Sequence, residues 1–522
     1  MKKYKAKGST LRFFAPYGRL RDFMSEKMTK FKSTFLSVQE GVRRFSYTDW
    51  YILLVLAIGV TGWALQNAVV GFVGMVLVSS VVLVLSDDIL PLTVNAFGAM
   101  LMIYTDKLDE FLKMWPSLIV LVVAIVIFVV RNSVAKIKRK DRFVFGKMFF
   151  PQIAISIALL LGGIGTIAVD RYVASLPNVL ALGIGVLAIY LLFANFIKRN
   201  DEIDYAKYFA KVLMWIGFAV SIQLCVVIAK SGIAPNEWAK AYWNVGWGNR
   251  NNIATFFLLT APMALYLSTR MRKGWAYILM AFWQYACLIM TLSRGGILFG
   301  LIALVFGVAF SIYKAPCKKH QLICFAICAV VIIIVGIVFR DGVKGVIKSL
   351  MDRVNGGHEG DLSSGRLDLY KEAWEQFKAH PFLGVGMGFI GKVWITNDMA
   401  QYWFHSTFFQ VLACMGIVGI VAYTYYYVVR IGFCIKMMKQ QFRFAFFVFV
   451  AWVGFEGYSM IDTGTMSPFP YMMLVAVMTC ILEISCQNRN HETDVNGIKD
   501  RLLEERYVRD VGIDIVRSKN VD

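Results

Sequence analysis

Charged residues are scarce in this chain. They make up 17% of its 522 residues, whereas a soluble globular protein usually carries about a quarter. Hydrophobic residues reach 58% and the mean hydropathy is +0.59. Many of the apolar residues lie in uninterrupted runs of bilayer length, which a water-soluble core does not hold. The composition excludes a soluble enzyme, a DNA-binding protein and a secreted scaffold. It predicts an all-α, polytopic integral membrane protein.

The chain also lacks the cysteine pattern of a disulfide-stapled fold. Seven of its nine cysteines lie in or beside apolar runs, and Cys317 and Cys486 lie in basic or tail segments. No cleavable signal peptide is expected, because the start of the chain is long, basic and without a short apolar core. The net charge of +21 does not indicate a nucleic-acid partner, since the surplus lies in segments that we place on one membrane face.

Apolar runs of roughly 17 to 25 residues are long enough to cross a bilayer as helices. We predict about fourteen transmembrane helices, near residues 50–66, 69–86, 89–104, 116–130, 147–168, 177–197, 208–229, 253–269, 274–292, 295–313, 321–339, 403–428, 444–462 and 468–485.

The distribution of Lys and Arg predicts the orientation of these spans. Residues 1–48 hold twelve basic and three acidic side chains, so we place this segment in the cytoplasm. Every second connection, such as Arg430–Arg443, is also rich in Lys and Arg. The segment 49–485 is then the transmembrane domain, and residues 486–522 form a second cytoplasmic segment. The loop 340–402 carries eight basic and eight acidic residues and is predicted to be extracytoplasmic.

Two arginines lie in unusual short segments on the predicted outer face. Arg250 ends a Gly/Asn-rich stretch, residues 243–252, whose composition permits close backbone approach to a ligand. An aromatic interface belt with a turn is the alternative reading of this stretch. Arg294 lies in a tight connection, residues 291–296, and is placed at the outer lipid interface. It is a functional candidate there, although an arginine at this depth also snorkels to headgroup phosphates.

The long outer loop contributes a further candidate. Residues 363–377 predict an amphipathic helix opened by a serine cap. Its apolar face is formed by Leu367, Tyr370, Trp374 and Phe377, and Arg366 lies at the edge of that face. The Gly-rich turn at 381–388 is weak evidence for a phosphate loop, because no strand and nucleotide-type helix flank it.

A single histidine stands at the outer mouth of the twelfth predicted span. His405 precedes Ser406, Thr407 and an apolar run. Its pKa near neutrality suits a base, but a lone histidine is more often a capping or core group.

Four motifs together resemble the bacterial O-antigen ligase and O-antigen polymerase superfamily. They are Ser293-Arg-Gly-Gly296, Ser364-Gly-Arg-Leu367 with Trp374, His380-Pro-Phe-Leu-Gly-Val-Gly386, and the stretch from His405 to Gly419. The similar region runs from about Asn249 to Gly419, here called the ligase-like region. The family often has an acidic residue where this chain has Cys414 and Met415.

The resemblance implies roles for the candidate residues. Arg294 and Arg366 would hold the diphosphate of a polyprenyl-linked glycan, with Arg250 a third donor-binding residue, and His405 would be the catalytic base. The implied activity is a glycosyltransferase of polysaccharide and cell-envelope biosynthesis in the inner membrane of a bacterium. Its partners are a polyprenyl-diphosphate (undecaprenyl-type) glycan donor, a glycan or glycolipid acceptor, and membrane lipids, with no cofactor.

This chemistry fits the predicted outer face. A glycan joined there arrives already activated on a lipid, with a diphosphate as leaving group. Histidine can take the proton from the acceptor hydroxyl at working pH. The planar guanidinium group of arginine has donors that match phosphate oxygens. The predicted reaction is metal-independent, because the clearest acidic pair, Asp87 and Asp88, lies on the cytoplasmic side, and it inverts the anomeric centre. The sequence does not distinguish a ligase from a polymerase. A lipid-linked oligosaccharide flippase is the alternative, with Glu456 as the only clear acid deep in a span.

Overall fold

The computed structural model describes residues 15–103, 113–198, 203–241, 243–246, 248–271, 274–315, 318–354, 365–393, 402–462, 464–466 and 470–487. The all-α prediction is confirmed for these residues, which also contain a short antiparallel hairpin of β1 (Asn244–Val245) and β2 (Gly248–Asn249). The α-helices are α1 (Ala15–Ser46), α2 (Asp49–Ala64), α3 (Ala68–Leu85), α4 (Leu92–Gly98), α5 (Trp115–Lys138), α6 (Phe149–Leu161), α7 (Val169–Leu180), α8 (Val186–Phe196), α9 (Tyr205–Ser231), α10 (Arg250–Ser268), α11 (Gly274–Met290), α12 (Arg294–Lys314), α13 (Lys318–Val338), α14 (Arg340–Val354), α15 (Arg366–Ala379), α16 (Thr407–Met438), α17 (Phe442–Ser459) and α18 (Pro470–Gln487).

Several of the described helices fit a multi-pass membrane protein. Six are long and apolar enough to cross a bilayer, and a seventh is added if the two helices 33–46 and 49–64, which meet at 76°, form one span. Five further apolar helices are shorter, at 10–17 residues. The six are Pro116–Lys138, Val169–Phe196, Tyr205–Ser231, Arg294–Lys314, Lys318–Val338 and Thr407–Met438. The count of fourteen spans stays a prediction.

The core of the molecule is built around α10. Every residue from Ile253 to Ser268 is buried, as expected for a helix that is apolar on all sides and enclosed by others. It packs against α9, α11, α12 and α17. Because α10 begins at Arg250 and α12 begins at Arg294, this packing fixes where two of the predicted site arginines lie.

The long helix α16 is interrupted by Gly416, which has φ +59° and ψ −149°. At this break the N–H of Ile417 donates to the carbonyl of Pro381 over 2.8 Å, and the N–H of Val385 donates to the carbonyl of Ala413 over 2.8 Å. The Gly-rich segment after α15 therefore lies across the break and supplies hydrogen-bond partners that the interrupted helix lacks. In the structure this turn is thus hydrogen-bonded to the middle of α16.

Replacing Gly416 with alanine should destabilise the fold. A Cβ there would lie 2.5 Å from the carbonyl oxygen of Pro381 and 2.6 Å from that of Phe382, and the backbone conformation is one that only glycine adopts readily. We expect a loss of about 1–3 kcal/mol, seen as a lower Tm in detergent. Gly432→Ala is the matched control in the same helix, since nothing lies within 4 Å of its Cβ position. Equal Tm changes for the two variants would contradict this account of the break.

A buried ion pair joins α16 to α17. The Nη1 atom of Arg430 lies 2.7 Å from Oε1 of Glu456, and its guanidinium stands over the ring of Trp452 at 4.3 Å. The hydroxyl groups of Tyr427 and Thr465 donate to Oε2 of the same carboxylate. Arg430 was predicted to begin a connection after the twelfth span, but it is a buried residue inside α16, which continues to Met438. The buried carboxylate of Glu456 neutralises this arginine inside the bundle, and the cytoplasmic placement of the connection stays a prediction.

The amphipathic helix predicted in the long loop is present, but only part of its predicted apolar face packs against the protein. It begins at Arg366 with Gly365, not serine, at the N-cap. Leu369, Glu372 and Ala373 are buried. Of the predicted apolar face, Leu367 and Trp374 are 59% and 49% exposed. The buried Glu372 accepts hydrogen bonds from the Tyr402 hydroxyl over 2.7 Å and from the N–H of Lys392 over 2.6 Å. These partners satisfy the one charged residue on a buried face that also holds Leu369 and Ala373.

Candidate functional site

A single carboxylate joins two of the predicted site residues. Asp462 follows α17, and its side chain is 8% exposed. Its Oδ1 lies 3.3 Å from Nδ1 of His405, and its Oδ2 lies 3.2 Å from Nη2 of Arg366. Arg366 also donates to the carbonyl of Ile461. His405 and Arg366 keep 25% and 23% of their side chains exposed, so a ligand has access to both.

Two hydroxyl groups extend this arrangement. The Tyr458 hydroxyl donates to Oδ2 of Asp462 over 3.2 Å and lies 2.7 Å from the Ser293 hydroxyl. We call Ser293, Arg366, His405, Tyr458 and Asp462 the Asp462 cluster. Its members come from four separate parts of the chain, so the packed helices hold the cluster in place.

The backbone around His405 is fixed by its neighbours. His405 has φ +49°, an uncommon conformation for a residue other than glycine, and such residues concentrate at functional sites. Its carbonyl accepts a hydrogen bond from the Tyr370 hydroxyl over 3.1 Å. The Gln410 side chain accepts from the N–H of Phe404 over 2.8 Å and donates to the carbonyl of Tyr402 over 3.0 Å. The glutamine of the His405 motif therefore has a structural task, which is to hold the turn that carries the histidine.

Tyr370 connects α15 to this turn. Its ring stacks on Phe409 with the centroids 4.3 Å apart. Burial raises the pKa of Tyr370; nearby Arg366 lowers it and Asp462 raises it. The hydroxyl thus stays protonated at neutral pH and remains a donor to His405. Because α15 also carries Arg366, this contact fixes the spacing between Arg366 and His405.

Arg294 is the first residue of α12 and is half-buried beside the Asp462 cluster. Ser293, before it, contacts Tyr458. A Cβ at Gly295, after it, would lie 2.4 Å from Cδ1 of Ile461. The glycine thus lets α12 approach the end of α17 closely. The Ser-Arg-Gly-Gly motif carries Arg294 to the edge of the cluster.

Arg250 lies at the same end of the bundle, since Ala254 on its helix would lie 2.7 Å from a Cβ at Gly296, just after Arg294 on α12. Arg250 begins α10, and its Nη1 donates to the carbonyl of Ala239 over 3.5 Å. The preceding Gly/Asn-rich stretch forms the β1–β2 hairpin, in which a Cβ at Gly246 would overlap the carbonyl of Met100. The structure thus shows close approach of this hairpin to another part of the backbone. Arg250 is not joined to Asp462 by the hydrogen bonds that join Arg366 and His405.

The sequence predicted no role for Asp462 or Tyr458. Both lie at the end of the thirteenth predicted span, near 444–462. Asp462 is an acid at the predicted outer mouth of that span, on the face where the arginines and His405 were predicted. This position was the signal in the sequence that could have identified it. Its partners lie 57 and 96 residues away in the chain, so no local pattern connects them.

The fold and this site define a multi-pass membrane protein in which one carboxylate holds a histidine and an arginine. A family model described as O-antigen ligase matches residues 275–424, an interval that contains Arg294, Arg366 and His405. The predicted resemblance to the O-antigen ligase and polymerase superfamily is confirmed over residues 275–424. The match supports glycan transfer of the ligase or polymerase type, with a lipid-linked glycan and an acceptor as the general substrates. No curated protein matches the chain.

Proposed function

We propose that this protein transfers or polymerises a polyprenyl-diphosphate-linked glycan on the outer face of the plasma membrane. The reaction is metal-independent and inverting. The observation that carries the proposal is the Asp462 cluster, in which a histidine and an arginine share one buried carboxylate. Such a unit places a base and a cation within reach of one substrate.

His405 is the proposed base. Its Nδ1–H donates to Asp462, which leaves the lone pair on Nε2 for the acceptor hydroxyl. The carboxylate stabilises the imidazolium that forms when the proton arrives. The acceptor oxygen attacks the anomeric carbon while the bond from that carbon to the diphosphate oxygen breaks. Direct displacement of this kind inverts the anomeric centre, and the proton ends on His405.

The arginines are proposed to stabilise the departing diphosphate. A guanidinium has five N–H donors, more than Arg366 uses for Ile461 and Asp462. Arg294 adds a second cation at the edge of the cluster, and Arg250 is proposed as a third donor-binding residue. Fixed cations that point at the negative charge developing in a transition state contribute strongly to the rate enhancement of an enzyme.

The test of this function is glycan transfer by the purified full chain in proteoliposomes. A polyprenyl-diphosphate-linked glycan is supplied as donor. The acceptor is either another molecule of the same lipid-linked glycan or a different glycolipid. We expect release of polyprenyl diphosphate together with a new glycosidic bond of inverted configuration. Extension of the donor glycan assigns a polymerase, and transfer to the glycolipid assigns a ligase. Transport of the donor without bond formation would favour the flippase alternative.

Metal independence gives a separate prediction. Because guanidinium groups take the charge of the leaving diphosphate in this proposal, activity should survive treatment with EDTA. Product formation is measured before and after chelation, and again after adding magnesium or manganese. Activity that disappears with EDTA and returns with either metal would refute the proposed role of the arginines.

The orientation is testable on described, exposed residues. Lys371, on α15, and Asp141, after α5, are both exposed. In a background without reactive native thiols, Lys371→Cys should react with an impermeant maleimide in intact spheroplasts, and Asp141→Cys only after permeabilisation. The reverse pattern would place the proposed site on the cytoplasmic face.

A further inference from the structure

Tyr458 and Ser293 are the most deeply buried members of the Asp462 cluster. Each is 2% exposed, whereas the side chains of His405 and Arg366 are partly exposed. The tyrosine hydroxyl lies between a serine and a carboxylate, on the side of the cluster that a ligand does not reach. Any part that Tyr458 has in a reaction is therefore carried by its neighbours.

The direction of the two hydrogen bonds of Tyr458 follows from the chemistry of its partners. Its hydroxyl lies 3.2 Å from Oδ2 of Asp462 and 2.7 Å from the Ser293 hydroxyl. A tyrosine has one hydroxyl hydrogen, and an ionised carboxylate only accepts. Tyr458 therefore donates to Asp462, and Ser293 donates to Tyr458. The serine thus fixes the direction in which the tyrosine hydroxyl points.

The ring of Tyr458 is held by the same motif that carries Arg294. A Cβ at Gly295 would lie 2.7 Å from Cδ2 and from Cε2 of Tyr458, so a larger residue there would displace the ring. Ser293 and Gly295 therefore lie against the tyrosine from the start of α12. These two residues of the Ser-Arg-Gly-Gly motif place Tyr458, and the arginine between them is the one proposed to bind the donor.

Arg366 has two anionic partners in the proposed reaction. Its Nη2 lies 3.2 Å from Oδ2 of Asp462, and its guanidinium is also proposed to bind the diphosphate. When the guanidinium turns toward the donor, its bond to Oδ2 weakens, and the carboxylate gains freedom to rotate. Tyr458 donates to the same oxygen, and its position does not depend on the donor. It therefore keeps Oδ1 directed at Nδ1 of His405.

We propose that Tyr458 is a positioning residue of the glycan-transfer reaction and acts through Asp462 on His405. This inference rests on the proposed function, and it adds the group that holds the base in place while the donor is bound. Without the hydroxyl, the carboxylate turns away from the imidazole more often. Fewer molecules then hold the Nδ1–H tautomer, which leaves Nε2 free for the acceptor hydroxyl. Donor binding depends on the arginines and is not affected.

The test compares Tyr458→Phe with Tyr427→Phe in the full-length protein. Each change removes one hydroxyl that donates to a carboxylate, which is Asp462 in the first case and Glu456, over 2.9 Å, in the control. Tyr458→Phe should lower kcat about ten- to a hundredfold, the effect of one hydrogen bond to a charged group. Its Kd for the polyprenyl-diphosphate-linked glycan should stay that of the wild type. Tyr427→Phe should keep the wild-type kcat, and the Tm of both variants is measured alongside.

Two further variants show whether the effect passes through His405. In a His405→Ala background, Tyr458→Phe should leave the residual rate unchanged, because the base that it positions is already absent. Ser293→Ala keeps the tyrosine and removes only the donor that orients its hydroxyl. It should lower kcat less than Tyr458→Phe does, again at a wild-type Kd.

Three results would overturn the role of Tyr458. They are a wild-type kcat in folded Tyr458→Phe, an equal loss of kcat in Tyr427→Phe, and an equal further loss in the His405→Ala background. If Tyr458→Phe does not fold in detergent, a wild-type kcat in Ser293→Ala would overturn it instead. Wild-type turnover by His405→Ala alone would refute the proposed base itself, so failure of the proposed function is distinguishable from failure of this inference.

Discussion

Replacing His405 with alanine is expected to lower the rate of glycan transfer by about a hundred- to ten-thousand-fold, which is the usual effect of losing a general base. Donor affinity should stay nearly unchanged, because the imidazole is proposed to act on the acceptor hydroxyl and not on the diphosphate. The two measurements are product formation and titration with lipid-linked donor, both on protein shown to be folded in detergent.

His380→Ala is the matched control for this variant. His380 is also half-buried in the ligase-like region, at the end of α15, and its carbonyl accepts from the N–H of Gly384, a backbone bond that alanine preserves. The control should keep most of its activity. A folded His405→Ala protein that binds donor and turns over at the wild-type rate would show that His405 has only a structural role in the turn before α16.

Arg366→Ala and Arg294→Ala should weaken donor binding as well as turnover. A hydrogen bond to a charged group contributes about 1.5–3 kcal/mol, so each loss should be about ten- to a hundredfold in affinity. Lysine at either position should rescue only in part, because an ammonium keeps the charge and loses the two-pronged fit to phosphate. Titration with donor and assay of product are made on the same preparations.

Arg366 needs a further control because it also pairs with Asp462. Removing it leaves a mostly buried carboxylate with one cation fewer, and this alone destabilises the cluster. The Tm of each variant separates this effect from the loss of donor contact. Arg340→Ala, an exposed arginine at the start of α14, should change neither quantity. Normal donor affinity in both Arg366→Ala and Arg294→Ala would contradict a diphosphate site at these residues.

The membrane class and most helix positions could be predicted because they depend on local apolar runs. The helices α11, α12 and α13 lie close to the predicted spans at 274–292, 295–313 and 321–339. The motifs also marked segments that meet at one end of the bundle. In each case the signal is a stretch of neighbouring residues, which sequence displays directly.

What could not be predicted depends on contacts between distant parts of the chain. The burial of Glu372 on α15 depends on Tyr402 and Lys392, which satisfy its carboxylate, and the pattern of the helix itself does not display these partners. The break at Gly416 likewise depends on the carbonyls of Pro381 and Phe382. The helical pattern of the sequence continues through residue 416. The segment that stabilises the break lies outside that pattern, so the sequence does not display the break.

The ion pair between Arg430 and Glu456 has a consequence for how the chain enters the bilayer. A charged side chain opposes insertion of an isolated span by about 2.5–3.5 kcal/mol at its centre. The two residues lie in consecutive helices, α16 and α17, separated by three residues. We therefore expect these helices to leave the translocon as one hairpin, with each charge neutralised by the other during biogenesis. The arrival of α17 would thus be a condition for retaining α16, and with it the turn that carries His405.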